Sequence, residues 1–227
     1  MERIREMIRR LPASVEFLIV VFWAFGQFIF ASILAIGGSR SVAISNDALV
    51  SLLLVEVLQF AFLVWFLRVR GWTPAKFGLS ITVRGTALGL GLAVATYAMF
   101  IIIQLVADHV LPMEMRSAAA FYPRASKDLD MQIVFIASVV NGVYEELFVA
   151  GYVITALSPV RGPWAAINVS TGIRLLYHLY QGPIGILTIV PVGILYGWVY
   201  VRTRQLWPLV VAHVAIDVVG LAYSAVT

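Results

Sequence analysis

Seven ionisable residues lie in stretches of this chain that are otherwise too apolar to hold a charge: Glu56, Glu145, Glu146, Arg174, His178, His213 and Asp217. An ionisable side chain at the middle of a bilayer is costly, on the order of 2.5–3.5 kcal/mol for Asp or Arg, so it turns inward, finds partners and marks a functional site. Six of the seven fall between Glu145 and Asp217. Arg174 and His178 are four residues apart, as are His213 and Asp217, so each pair shares one helix face. Glu145 and Glu146 are adjacent and point about 100° apart on a helix. They therefore have different neighbours, one facing a cavity and the other a packed helix. Two glutamates and Asp217 against Arg174 leave an excess of negative charge. A protonated carboxyl, a protonated histidine or a bound cation would balance it. The first two set a base beside an acid, as hydrolysis requires. The third makes Glu145, His178 and His213 candidate ligands of a divalent metal such as zinc.

The elements that must position these groups follow from composition. Of the 227 residues 61% are hydrophobic and only 12% charged, against about 25% charged in a soluble domain. Such a surface needs lipid around much of it, and no contiguous basic face points to nucleic acid. There is no cysteine, which removes thiolate nucleophiles, disulfides and cysteine metal sites. Seven stretches approach the roughly 20 apolar residues of a spanning helix: Glu16–Gly37, Ala48–Leu67, Gly85–Ala107, Met131–Leu157, Pro163–Tyr180, Pro183–Val201 and Leu206–Ala225. The predicted fold is all-α, a polytopic transmembrane bundle of about seven spanning helices. Residues 1–15 form a basic cytoplasmic N-terminus, 16–130 the N-terminal helices with an external loop, and 131–227 a helical core that carries the chemistry. The first apolar run is longer than a signal peptide's and reads as an uncleaved anchor.

Loop charge sets the orientation. With the N-terminus inside, the cytoplasmic side holds Arg3, Arg5, Arg9, Arg10, Arg68, Arg70, Lys76, Arg84, Arg161, Arg202 and Arg204, and the outside holds Arg40, Arg116, Arg124 and Lys127. Eleven against four favours N-terminus in and C-terminus out, in a bacterial cytoplasmic membrane. The polar segment Asp108–Asp130 is expected across the external mouth, with His109 solvated in it. Gly85/Gly89 and Gly193/Gly197 are spaced for close helix packing. Pro191 is expected to kink its helix. Glu56, alone near Gln59, reads as an inter-helix hydrogen bond.

Three local patterns carry a family resemblance. Tyr144-Glu145-Glu146-Leu147-Phe148-Val149-Ala150-Gly151 resembles the Glu-Glu-x-x-x-Arg-Gly motif of the CPBP family of CAAX-protease and bacteriocin-processing membrane proteins. Arg174-Leu175-Leu176-Tyr177-His178 resembles its second motif, Phe-x-x-x-His, and His213-Val214-Ala215-Ile216-Asp217 its third, His-x-x-x-Asn or His-x-x-x-Asp. All three occur in order, each on a separate apolar run within 131–225. The resemblance implies an intramembrane endopeptidase. Glu145 would act as general base on water with His178 beside it and His213 and Asp217 near the developing oxyanion. Glu146 would be structural or share protons with Glu145. Substrate would be a peptide or protein entering from surrounding lipid. The family's arginine is replaced by Ala150, and the second motif opens on Arg174 instead of Phe. Arg174 is accordingly expected to supply the missing positive charge, balancing Glu146 or Asp217.

No His-Glu-x-x-His zinc signature, no Gly-x-Ser-x-Gly elbow and no Gly-x-Gly-Asp occurs. A metal-free glutamate mechanism, with no cofactor, is favoured over a zinc-dependent one. Two other functions remain open: a non-catalytic scaffold or immunity-type partner on the protease fold, suggested by Ala150, and a proton- or cation-coupled transporter, against which stands the lack of an inverted repeat.

Overall fold

The computed structural model describes residues 2–37, 43–110 and 124–226. An amphipathic helix α1 (Glu2–Arg9) precedes α2 (Ala13–Gly37), α3 (Asn46–Val69) and α4 (Val83–Val110). The long helix α5 (Met131–Arg161) changes pitch within its length. It is α-helical over Met131–Glu145, π-helical over Glu146–Tyr152 and α-helical again over Val153–Arg161. Then follow α6 (Pro163–Tyr177), α7 (Gly182–Thr203) and α8 (Trp207–Val226). Two two-residue strands, β1 (Ala43–Ile44) and β2 (Arg124–Ala125), pair in parallel. Arg40, Arg116 and most of the expected external cap lie outside the described residues, whereas His109 sits exposed on the last turn of α4, not in a loop.

Among the described residues six helices are long and apolar enough to cross a bilayer, not seven. The exception is α6, which has 15 residues, about 22 Å of rise, short of a hydrocarbon core of about 30 Å. It stops at His178, passes through a short turn at Leu179–Gln181, and reverses into α7. The cause is local. Gly182 takes φ +70°, ψ −167°, open only to glycine, and Pro183 behind it disfavours a helical predecessor and has no N–H to donate. Pro191, by contrast, leaves α7 uninterrupted as a helix.

Small residues set the spacing. A Cβ on Gly89 would lie 2.6 Å from Val211 Cβ and 2.7 Å from the Pro208 carbonyl, so α4 and α8 are in backbone contact. Gly193 and Gly197 of α7 lie directly against the side chains of Thr171 and Ile167 of α6. The glycine pairs thus act in packing.

The two ends of the bundle differ. At one, Arg70 binds Glu16 and donates to the carbonyls of Ile8 and Arg9, while Trp72 Nε1 and Tyr152 Oη donate to the same glutamate at 2.8 and 3.1 Å. Leu206 N donates to the Gly78 carbonyl at 3.1 Å, which joins the 74–78 turn to the start of α8. All eleven expected cytoplasmic Lys and Arg belong to segments that end here. At the other end, the Asn46 side chain bridges the Asp128 carbonyl and the Asp130 amide, each at 2.9 Å, and Ser45 and Asp130 cap α3 and α5.

Candidate active site

Glu145, Arg174, His178, His213 and Asp217 line one cavity of about 510 Å³, together with Glu56 of α3. The approach of α8 to α5 makes this possible. Gly142 lies one turn before Glu145, and a Cβ there would stand 2.8 Å from Val214 Cγ2 and 3.6 Å from His213 Cβ. Only glycine lets the two backbones come this close.

Glu145 ends the α-helical part of α5, and Glu146 opens the π-helical part. Single-turn π segments recur at functional sites, and this one is held by its neighbours. Ser170 Oγ of α6 donates to the Val149 carbonyl at 2.6 Å, and Tyr200 Oη of α7 lies 3.4 Å from the Gly151 carbonyl. The adjacent carboxylates diverge. Glu145 reaches the cavity wall, whereas Glu146 is completely buried.

Each carboxylate has its own donors. Tyr177 Oη donates to Glu145 Oε2 at 2.6 Å, and Asn141 Nδ2 donates to Glu145 Oε1 at 3.2 Å. Glu146 Oε1 receives Arg174 Nη2 at 2.7 Å and faces His213 Nδ1 at 2.7 Å. Arg174 Nη1 also stands 3.6 Å from Glu145 Oε2, so one buried guanidinium serves both glutamates. Its Cζ lies 5.8 Å from the Tyr196 ring centroid. Arg174 thus pairs with the glutamates and not with Asp217.

The histidines are oriented differently. His178 Nδ1 lies 2.9 Å from the Arg174 carbonyl one turn earlier, an arrangement in which Nδ1–H donates to that oxygen. This tautomer leaves Nε2 with its lone pair free. His213 is held at Nδ1 by Glu146 at 2.7 Å, with Asp217 Oδ2 3.5 Å from Nε2. Among the described residues no three His, Asp or Glu side chains converge as a metal-binding group. Glu145, His178 and His213 share a cavity but not a ligand geometry.

Two contributors were not singled out from the sequence. Asn141 donates to Glu56 Oε1 at 2.7 Å as well as to Glu145, and so joins α3 to α5. Tyr177 is stacked on Phe25 of α2, with ring centroids 5.0 Å apart and planes 6° from parallel. Asn141 is four residues before Glu145, on the same face, and a polar amide in an apolar run was a readable signal. Tyr177 carried none, because an aromatic at a helix end has many uses. The inter-helix bond read for Glu56 has Asn141 as its partner.

No curated protein and no solved structure matches the chain. Residues 128–219 match the family described as Rce1-like, type II CAAX prenyl endopeptidase, a stretch that holds Glu145, Glu146, Arg174, His178, His213 and Asp217. Over residues 128–219, which hold all the intramembrane ionisable residues except Glu56, this multi-pass helical bundle is similar to the CAAX-protease family.

Proposed function

We propose that this protein is an intramembrane endopeptidase in which Glu145 activates water. The observation that carries this reading is the Glu145 carboxylate on the cavity wall, aimed by Tyr177 and Asn141, with His178 and His213 lining the same space. Peptide hydrolysis needs a base for water, a donor for the oxyanion and a proton for the leaving amine. Glu145 takes a proton from water, and the hydroxide oxygen bonds to the scissile carbonyl carbon. The carbonyl oxygen becomes an oxyanion and receives a hydrogen bond from His213 Nε2 when that nitrogen is protonated. The C–N bond then breaks as the Glu145 carboxyl returns its proton to the amine. His178 Nε2 stands ready to accept from the attacking water. Asp217 orients His213 from one turn further along α8.

Arg174 takes the part left vacant at Ala150. Ala150 is four residues after Glu146 and buried, and the positive charge reaches Glu146 from α6. This supports a working site over a scaffold that has lost its chemistry. The metal-free route is favoured because His213 Nδ1 and His178 Nδ1 are already engaged within the chain.

The test is reconstitution in lipid with candidate peptides, comparing wild type with Glu145→Gln and with chelated, dialysed protein. Loss of general-base catalysis is worth about 10²–10⁴ in rate, so Glu145→Gln should fall by that amount while remaining folded. Chelation should leave turnover intact. Undiminished cleavage by Glu145→Gln refutes the hydrolase reading, and loss restored by added metal refutes the metal-free route.

A further inference from the structure

The cavity has a direction. Its wall beyond the polar groups is made by Ile44 of β1, Ala48 and Leu49 at the start of α3, Leu221 and Ser224 at the end of α8, and Gln181 in the turn between α6 and α7. All of these lie at the end of the bundle marked by Asn46 and Asp130, away from the basic end. Towards the basic end the bundle is closed. Phe148, Tyr152, Leu206 and Leu209 are each at most 1% exposed, and Tyr200 seals the Phe77 carbonyl at 3.1 Å. No residue of the 70–84 segment or of the α7–α8 connection lines the cavity.

Charge gives that direction a meaning. Eleven of the sixteen Lys and Arg residues belong to the closed end, accompanied by only Glu2, Glu6 and Glu16 among the acids. The cavity end has Asp47, Asp108, Asp128 and Asp130 close to its element termini. Short loops rich in Lys and Arg stay in the cytoplasm.

We propose that the site is served from the extracytoplasmic side of the membrane, and that its substrate is a polypeptide segment with apolar side chains presented there. The proposal rests on the peptidase reading for its chemistry but on cavity direction and charge for its sidedness. The apolar wall of Leu49, Leu52, Phe100, Ile189 and Leu221 suits such side chains. An exported peptide and the outer end of a membrane-spanning segment offer the same chemistry. A polypeptide confined to the cytoplasm has no route to Glu145 past the closed end.

The natural chain has no cysteine, so single cysteines report access directly. Ser224→Cys and Ser138→Cys probe the cavity, and Lys76→Cys probes the basic end. In intact cells a membrane-impermeant maleimide should label Ser224→Cys, more slowly Ser138→Cys, and leave Lys76→Cys unlabelled until the membrane is opened. The reverse pattern overturns the proposal, as does labelling of the cavity positions only after permeabilisation. Leu221→Cys serves in place of Ser138→Cys if the latter does not fold. In oriented proteoliposomes, a water-soluble quenched peptide with apolar residues should be cut only when added on the Ser224 side. A peptide fused to a single spanning helix and inserted in the same bilayer distinguishes the membrane-borne source. Labelling is independent of catalysis, so inactivity with correct sidedness counts against the peptidase and not against access.

Discussion

Arg174→Met removes the one positive charge buried among the glutamates while keeping the length of the side chain. The guanidinium is 2.7 Å from Glu146 Oε1 and 3.6 Å from Glu145 Oε2, and both it and Glu146 are buried. At an effective dielectric constant near 20, the 2.7 Å contact alone has an attraction of about 6 kcal/mol. Most of that is offset by the desolvation of both groups, so the pair itself contributes little net stability. Breaking it is another matter. Removing one partner of a buried pair costs about 3–5 kcal/mol, because the remaining charge has neither water nor counter-charge. Arg174→Met should therefore lower the unfolding midpoint in detergent by on the order of 10 °C for a chain of this size. Arg174→Met/Glu146→Gln should recover most of the loss, since it removes both charges together. Activity should not recover, because Glu146 also fixes His213 Nδ1. The assay is thermal unfolding of the four members of the double-mutant cycle, followed by peptide cleavage on each. Additive losses in the cycle would show that the two groups act independently, and full stability and activity in Arg174→Met would end the idea that this arginine substitutes for a charge at Ala150.

Tyr177→Phe removes the hydroxyl that donates to Glu145 Oε2 at 2.6 Å; a hydrogen bond to a charged group is worth about 1.5–3 kcal/mol, so kcat should fall roughly 10- to 150-fold with the fold retained, and an unchanged kcat would remove Tyr177 from the site. Gly142→Ala forces a methyl to within 2.8 Å of Val214 Cγ2; overpacking of this kind costs about 1–3 kcal/mol, and moving His213 should depress cleavage further, with Val214→Ala restoring both. A neutral Gly142→Ala in melting and turnover would show that the helices part without consequence. Asp217→Asn should reduce cleavage less than tenfold, a contact at 3.5 Å to His213 Nε2 being weak; abolished cleavage in a folded protein would give the carboxylate a direct part in the reaction.

The charged residues of the site were legible because a bilayer makes them so. An ionisable group in an apolar run needs a partner, and Glu145, Glu146, Arg174, His178, His213 and Asp217 were readable for that reason. Periodicity gave the pairing of Arg174 with His178 and of His213 with Asp217 on common faces, and the adjacency of the glutamates required them to part company. Uncharged partners were harder to read. Asn141 and Tyr177 are inexpensive enough in a membrane helix to need no special explanation.

Hydropathy alone determined that this chain crosses a membrane repeatedly and where most of its helices run, since length and apolarity are properties of contiguous residues. It overcounted at α6, because hydropathy does not register a glycine at positive φ, and the reversal at Gly182–Pro183 is a matter of backbone dihedrals. Tertiary structure decided the rest. Which carboxylate faces the cavity depends on a change of helical pitch after Glu145 that no local pattern announces. Which charge Arg174 answers depends on how closely α6 packs against α5. The side from which the cavity is lined depends on where large side chains fill the bundle, and that is fixed only when all the helices are packed together.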